Sequence, residues 1–281
     1  MYTSFSKFVL KILIPLCLLI APFAIPIYRF TFDLSTLLTV VSLLFAILVG
    51  FFIGTTTTNY LRLQTLNAQD NSTVLALYNL GVLLQPSIAK KLARVIDDHV
   101  IAALNFELSE YVEKTHETFN RMIRVVDAIR PSKPEVSELM QNLHDIKYQF
   151  MATRQELPLA ARKIVTKDHW IVLGCLAGLI AFLLFMLRDG QWISALITGI
   201  LTIATYLVLV LLYEIDNNFF SEEELSFQNS QVIFEAIGVL HYYPKYALQE
   251  GRVHHPQRPY RTGTFKDPAN PQPKEIKTIK L

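Results

Sequence analysis

The sequence predicts an all-α integral membrane protein with four transmembrane helices, arranged as two hairpins on either side of a cytoplasmic helical region. Two features of the composition support this class. Apolar residues make up 52% of the 281 residues, and charged residues only 18%, below the roughly 25% typical of soluble domains. In addition, the apolar residues are gathered in four long blocks, while most charged residues lie between the second and third blocks.

The four apolar blocks approach the roughly 20 residues that a helix needs to cross a hydrocarbon core of about 30 Å. They cover residues 8–28, 37–53, 170–187 and 192–213. Aromatic residues stand at three block ends, where amphipathic rings favour the headgroup layer: Trp170, Trp192 and Tyr213. Each block is therefore predicted to be a membrane span.

The first block has an alternative interpretation as a signal peptide. Lys7 and Lys11 come before the apolar stretch, and residues 21–24 resemble a signal-peptidase site. However, the apolar stretch continues beyond that site, and Pro22 and Pro26 suit a kinked span. We expect a span that is retained.

The distribution of basic residues predicts the orientation. The two short connectors contain Arg29 and Arg188, whereas the opposite side carries more basic residues: Lys7, Lys11, Arg62, Arg154, Arg162, Lys163 and Lys167. Because cytoplasmic segments next to spans are enriched in lysine and arginine, the middle region and both termini are expected in the cytoplasm. The predicted location is the inner or plasma membrane.

These patterns divide the chain into five parts. Residues 1–54 form the first hairpin, 55–168 the cytoplasmic helical region, 169–213 the second hairpin and 214–240 a helix after the last span. Residues 241–281 form a basic, proline-rich tail that is expected to be disordered. Amphipathic periodicity in the cytoplasmic region predicts four helices. The first ends near Leu84, the second begins at Pro86, the third covers 109–130, and the fourth ends before Pro158. No strand is predicted.

No pattern supports an enzyme, a cofactor or a nucleic-acid partner. The chain lacks a Gly-x-Ser-x-Gly elbow and a glycine-rich phosphate loop, and Cys17 and Cys175 lie in apolar blocks. Glu113 and His116 form one Glu-x-x-His pair, but a di-iron bundle needs two, so a solvated helix face is favoured. The net charge of +2 shows no basic excess.

The spans themselves contain two polar or small-residue patterns. Ala46, Gly50 and Gly54 recur every four residues in the second span, which favours either close helix packing or a bare face that lines a pore. The fourth span contains hydroxyls that we expect to bond their own backbone: Ser194, Thr198, Thr202 and Thr205. No ionisable residue lies at the centre of a span, which argues against a proton-coupled transporter.

Three short motifs stand out, at Tyr60-Leu61-Arg62, Asp70–Tyr78 and Asn217-Asn218-Phe219. They resemble motifs of the bestrophins, and most closely of the bacterial bestrophin-like family, over roughly residues 35–240. Tyr60-Leu61-Arg62 resembles the family's Tyr-x-Arg after the second span. The stretch from Asp70 to Tyr78 is similar to Glu-Ala-Asn-x-Leu-x-x-Leu-Tyr, with aspartate in place of glutamate. Asn217-Asn218-Phe219 resembles Asn-Pro-Phe after the last span, with Asn218 in place of proline.

The resemblance implies a homo-oligomer, with a pentamer as the expected ring, that conducts anions such as chloride. Second spans would surround the axis, and Arg62 would supply positive potential at the cytoplasmic mouth. Eukaryotic bestrophins bind calcium after the last span, where this chain has Glu222-Glu223-Glu224, but the other ligands do not match, so no calcium site is predicted.

The alternative is a non-conducting scaffold or signalling protein that acts through its cytoplasmic helices and its tail. Basic residues outnumber acidic ones in that tail: Lys245, Arg252, Arg258, Arg261, Lys266, Lys274, Lys277 and Lys280. Such residues would attract anionic lipid by about 1 kcal/mol each. A third reading, an intramembrane enzyme, lacks a candidate catalytic pair in the spans.

Overall fold

The computed structural model describes residues 9–26, 33–106, 110–130, 137–217, 227–249, 253, 256, 259–264 and 275–280. Its contacts divide the chain into two units. The span unit comprises Met1–Thr58 and Lys163–Phe219, and the helix–sheet unit comprises Asn59–Arg162 and Phe220–Leu281. The sequence-based domain boundaries at 54/55 and 168/169 stay predictions.

The described chain is predominantly helical. In chain order its helices are α1 (Ile14–Ala24), α2 (Leu34–Leu84), α3 (Ala89–Leu104), α4 (Tyr111–Lys114), α5 (His116–Asp127), α6 (Ser137–Ala160), α7 (Lys167–Met186), α8 (Trp192–Asp216), α9 (Asn229–Ala236) and α10 (Lys245–Gln249). A π-helical turn, Val9–Leu13, leads into α1, and a 3₁₀ turn, Pro86–Ile88, leads into α3. The strands are β1 (His241–Pro244), β2 (Tyr260–Thr264) and β3 (Glu275–Ile279).

Three described helices, α2, α7 and α8, are long and apolar enough to cross a membrane. They contain the second and fourth spans predicted from the sequence, and all but the last residue of the third. Side-chain hydrogen bonds cap the N-termini of two of these helices. Ser35 N–H donates to Asp33 Oδ1 (2.9 Å) at the first turn of α2, and Thr166 and His169 form a capping box at α7. Such caps satisfy the first amides of a helix, which no helical carbonyl can reach. Both caps lie just before apolar blocks that the sequence predicted to be spans.

The first predicted span, 8–28, is helical from Val9 to Ala24, and this helix is shorter than the other three. α1 contains Pro22 and ends where the backbone becomes extended at Ile25. It packs closely on α8, because a Cβ added to Gly199 would lie 3.1 Å from the Leu19 carbonyl oxygen. Residues 1–8 and 27–32 lie outside the described part of the chain, so a fourth span stays a prediction.

The core of the span unit is narrow, and its outer surface is apolar. One face of α2, formed by Val41, Phe45 and Val49, packs in the same cluster as Leu173 of α7 and Leu212 of α8. Large apolar side chains point away from this core: Phe51, Ile171, Trp192 and Ile197 are all at least half exposed. Such a surface would be an aggregation hazard in water but suits a lipid surrounding.

The helix–sheet unit has a conventional buried core, built from the amphipathic helices that the sequence predicted. Its fully buried residues come from several elements: Leu77, Leu92, Ile96, Met122, Ile129, Leu143, Phe150, Phe234 and Tyr242. Gly81 allows close packing where α2 meets this core, since an added Cβ would lie 2.7 Å from Leu92 Cδ2 and would force that side chain to shift. The helices find their apolar partners within this unit.

One predicted helix end was wrong. α6 continues through Pro158 to Ala160, whereas the sequence predicted an end before that proline. Proline removes a single N–H from the helical ladder. The last turn closes around the gap, because Ala161 N–H donates to the Leu157 carbonyl at 2.9 Å. A proline this close to a C-terminus therefore costs the helix little.

The expectation of a tail without strands was also wrong. β1 pairs in parallel with β2, and β2 pairs antiparallel with β3, in a three-stranded sheet. The sheet is held by the unit's core: Tyr242 of β1 is fully buried, and Arg261 of β2 makes two 2.7 Å bonds to the Asp97 carboxylate. Tertiary anchors of this kind let a polar, proline-rich segment form strands that its composition disfavours.

Candidate functional site

The small-residue stripe of α2 lies on the face turned away from the core of the span unit. Ala46, Gly50 and Gly54 are exposed, whereas Val41 and Phe45 are buried. A Cβ added to Gly50 or Gly54 would meet no atom of the described residues within 4 Å. Close packing within one chain therefore does not explain these two glycines.

Two of the four predicted hydroxyls of the fourth span bond the backbone of their own helix. Thr202 Oγ1 donates to the Thr198 carbonyl (2.8 Å), and Thr205 Oγ1 donates to the Leu201 carbonyl (3.0 Å). Ser194 differs, because its hydroxyl oxygen accepts from the Asp189 N–H at 3.3 Å. Two of the four predicted hydroxyls are thus confirmed as partners of their own helix, which leaves them little capacity to bind a permeating ion.

The motif after the second span is tied to the end of α6. Arg62 Nη2 lies 2.8 Å from Glu156 Oε2, and Asn59 Nδ2 donates to the Ala160 carbonyl at 2.6 Å. The Arg62 side chain is 62% exposed, while Tyr60 is partly buried. No sequence signal points to Glu156, since partners 94 residues apart cannot be paired from spacing alone.

Asp70 follows Arg62 on the same helix but occupies a different environment. Eight residues correspond to about 12 Å along a helix axis. Arg62 is exposed, whereas Asp70 is buried beside Thr73, whose hydroxyl donates to the Asp70 backbone carbonyl at 2.8 Å. The two residues of the resemblance therefore do not form one charged site.

A buried polar cluster lies between α3, α5 and α6 in the helix–sheet unit. Arg154 donates to Thr115 Oγ1 (2.7 Å) and to the Val112 carbonyl (2.8 Å), and its guanidinium lies 4.2 Å from the Phe119 ring centre. His99 Nδ1 lies 3.2 Å from Thr118 Oγ1. The sequence placed Arg154 among the basic residues that flank the third span, because burial of an arginine cannot be read from charge distribution.

The electrostatics of this cluster keep His99 neutral. Burial and, to a smaller extent, the neighbouring charge of Arg154 together lower the pKa of His99 to about 3. A neutral imidazole can accept one bond and donate one. The cluster therefore reads as a structural centre that joins three helices.

The segment after the last span is organised by Asp216. Its Oδ1 accepts from the N–H groups of Ile164 (2.9 Å) and Val165 (3.1 Å), just before α7. Asn217, one of the predicted motif residues, instead donates to the Tyr213 carbonyl at 2.7 Å and closes α8. Phe219, the other motif residue of this segment, lies outside the described residues.

Metal binding finds no support in the described ranges, where no group of three His, Cys, Asp or Glu side chains could hold an ion. His116 Nε2 lies 2.9 Å from Asn120 Nδ2, as expected on a solvated helix face. The acidic run Glu222–Glu224 and the pair His254-His255 lie outside the described residues. Of the tail's basic residues, Arg261 is engaged by Asp97, while Arg252, Arg258, Lys266 and Lys274 are not described.

Comparison with known protein families gives a match. A family model described as a Bestrophin-like domain matches residues 34–220, more than half of the chain. The matched stretch begins at α2, ends just after α8, and contains the small-residue stripe, Arg62 and Asp216. No curated protein and no solved structure matches the chain.

Proposed function

Because the chain belongs to the bestrophin-like family, we propose that it is a homo-oligomeric membrane channel that conducts anions, with the helices α2 of its subunits around a common axis. In this proposal the stripe of Ala46, Gly50 and Gly54 faces the axis or the neighbouring subunit. A pentameric ring in the inner or plasma membrane, with cytoplasmic termini and the first predicted span as its fourth, completes the arrangement.

The observation that carries the proposal is the outward face of α2. Glycine in a helix interior costs roughly 0.5–1 kcal/mol relative to alanine. Gly50 and Gly54 have no close neighbour among the described residues that would require this cost. A second copy of the helix or a narrow pore would require it, since either needs a helix surface without side chains.

Arg62 supports anion selectivity in this arrangement. It follows the stripe on the same helix and is 62% exposed. The Glu156 carboxylate, 2.8 Å away, partly offsets the positive potential of Arg62, but the guanidinium still offers hydrogen-bond donors. An anion approaching the mouth would compete with Glu156 for the guanidinium.

The test compares two glycines in proteoliposome chloride-efflux measurements. Gly54→Leu should reduce efflux at least tenfold while the oligomer still assembles. Gly174→Leu is the matched control, because Gly174 is an exposed span glycine of α7 with nothing within 4 Å of an added Cβ. Equal effects of the two variants would contradict the assignment of α2 to the axis.

Two further outcomes bear on selectivity and on conduction itself. Arg62→Glu should shift the reversal potential toward lower anion preference, whereas Arg124→Glu, at an exposed arginine of α5, should leave it unchanged. A purified oligomer that conducts no ion under any ionic condition would overturn the channel and favour a non-conducting scaffold.

A further inference from the structure

The connector between α7 and α8 contains a buried arginine whose donors are mostly unused. Arg188 is 5% exposed, and its Nη2 donates to the Ile25 carbonyl at 2.5 Å. Its Nε and Nη1 are buried without a hydrogen-bond partner among the described residues. A guanidinium keeps its charge in proteins, so leaving two of its nitrogens unsatisfied is unfavourable unless an anionic group completes the shell.

Arg188 also lines an open cleft of about 380 Å³ in the span unit. The lining changes in character along the helices. Near the connector it includes Gln191, Ile193 and Ser194. Further along the two helices it consists mainly of aliphatic side chains: Leu184, Ile197 and Leu201. The cleft therefore combines a polar, cationic end with an apolar wall that runs into the membrane-spanning part of the helices.

The start of α8 adds to the positive potential at the polar end. Gln191 stands at the N-cap position without a side-chain hydrogen bond to the first turn. Uncapped amides at a helix N-terminus attract anionic groups. They act here together with the buried arginine, which is the independent indication of a ligand.

The presence of Asp189 in the cleft favours a lipid over a free anion as its ligand. This residue lines the same cleft, and its Oδ1 accepts from the Gln191 N–H at 3.0 Å. A small soluble anion would meet the repulsion of this carboxylate with only electrostatics to offset it. An anionic lipid gains additional free energy from burying an acyl chain against the aliphatic wall, at about 0.8 kcal/mol per CH₂ group transferred from water.

We propose that this cleft binds an anionic phospholipid, whose phosphate is held by Arg188 and the first turn of α8 and whose acyl chain lies along Leu184, Ile197 and Leu201. The lipid satisfies the arginine, and it ties α1, α7 and α8 together through the Arg188 contact to Ile25. This inference requires the protein to lie in a membrane but does not require it to conduct ions.

The test uses full-length protein, purified in detergent, delipidated and incubated with defined lipids before native mass spectrometry. We expect phosphatidylglycerol to be retained about tenfold more strongly than phosphatidylcholine, and Arg188→Gln to remove this preference, since a charge-assisted hydrogen bond accounts for about one decade in affinity. Arg124→Gln, an exposed arginine outside the span unit, should retain it.

A second variant covers the case in which Arg188→Gln does not fold. Ile197→Trp fills the aliphatic wall without changing any charge, and it should also reduce phosphatidylglycerol retention. Unchanged retention in Ile197→Trp, or in a folded Arg188→Gln protein, would overturn the proposal. Displacement of the lipid by millimolar inorganic phosphate, with phosphate binding that survives Ile197→Trp, would overturn it in favour of a soluble-anion site.

Discussion

The two units of this chain place large apolar side chains in opposite ways. In the span unit, Phe51 and Trp192 point outward and the buried core is a single narrow cluster. In the helix–sheet unit, Phe150 and Leu92 are completely buried, together with the polar side chains of His99 and Arg154. The difference teaches that the surroundings of each unit, rather than helix propensity, decide which face of a helix carries apolar residues.

The largest expected difference between the units comes from removing an aromatic ring. Phe150→Ala should lower the free energy of unfolding by about 3–5 kcal/mol, because it leaves a cavity between Phe119 and His99 in a fully buried site. Phe51→Ala removes a ring that is 65% exposed and should change stability much less. Thermal unfolding in detergent, followed by circular dichroism, measures both variants. Similar losses would contradict the contrast between the two units.

A single added methyl group should distinguish the units with a smaller effect. Gly81→Ala places a Cβ 2.7 Å from Leu92 Cδ2 and 3.1 Å from Ile129 Cδ1, so we expect a net loss of about 1 kcal/mol after the helix-propensity gain. Gly174→Ala has open space and should gain up to about 1 kcal/mol. Unfolding midpoints of the two variants should therefore move in opposite directions, and a shared direction would refute the packing at Gly81.

The buried histidine makes the stability of the helix–sheet unit depend on pH. The pKa of His99 is about 3 when folded and 6.5 when unfolded, so between these values the unfolded chain binds more protons. His99's contribution to stability is therefore present above pH 6.5 and declines as the pH falls. We expect a loss of about 1 kcal/mol between pH 7 and pH 5.5.

Matched histidine variants isolate this contribution. His99→Gln should flatten the dependence of the unfolding midpoint on pH in the range below 6.5. His116→Gln, at an exposed histidine, should leave the dependence as it is. An unaltered pH profile in His99→Gln would show that His99 titrates normally in the folded protein.

The smallest expected effect concerns the exposed ion pair. Arg62→Gln should change the free energy of unfolding by less than about 0.5 kcal/mol, because both partners are roughly half exposed and screened by salt. Chemical denaturation with urea measures it. A loss above about 2 kcal/mol would show that Arg62 serves primarily to hold α2 on α6, and the proposed role at a pore mouth would lose its basis.

The sequence predicts the span helices well because their signal is local. Long apolar runs fix the positions of α2, α7 and α8, and the motifs identify the family that the comparison confirms. The stripe of Ala46, Gly50 and Gly54 could likewise be placed on one face of a helix from its spacing alone. Which face is buried in the chain could not, since that depends on partners far away in sequence.

The features that sequence reasoning missed all depend on contacts between distant residues. Arg154 reads as a flanking positive charge until Thr115 and Val112, about 40 residues earlier, are brought to it. The strand β2 is hidden in a polar tail because its anchor, Asp97, lies 164 residues before Arg261. Arg188 reads as a lone connector arginine until its contact with Ile25 and its burial are known.

The grip of Asp216 on two backbone amides has a consequence for how the second hairpin is made. The carboxylate is synthesised 52 residues after the Ile164 amide that it binds. Until the ribosome has passed Asp216, the segment that leads into α7 lacks these two hydrogen bonds. These bonds can therefore stabilise the hairpin of α7 and α8 only after both helices have entered the bilayer. A nascent chain arrested before residue 216 should expose the segment before α7 to proteases.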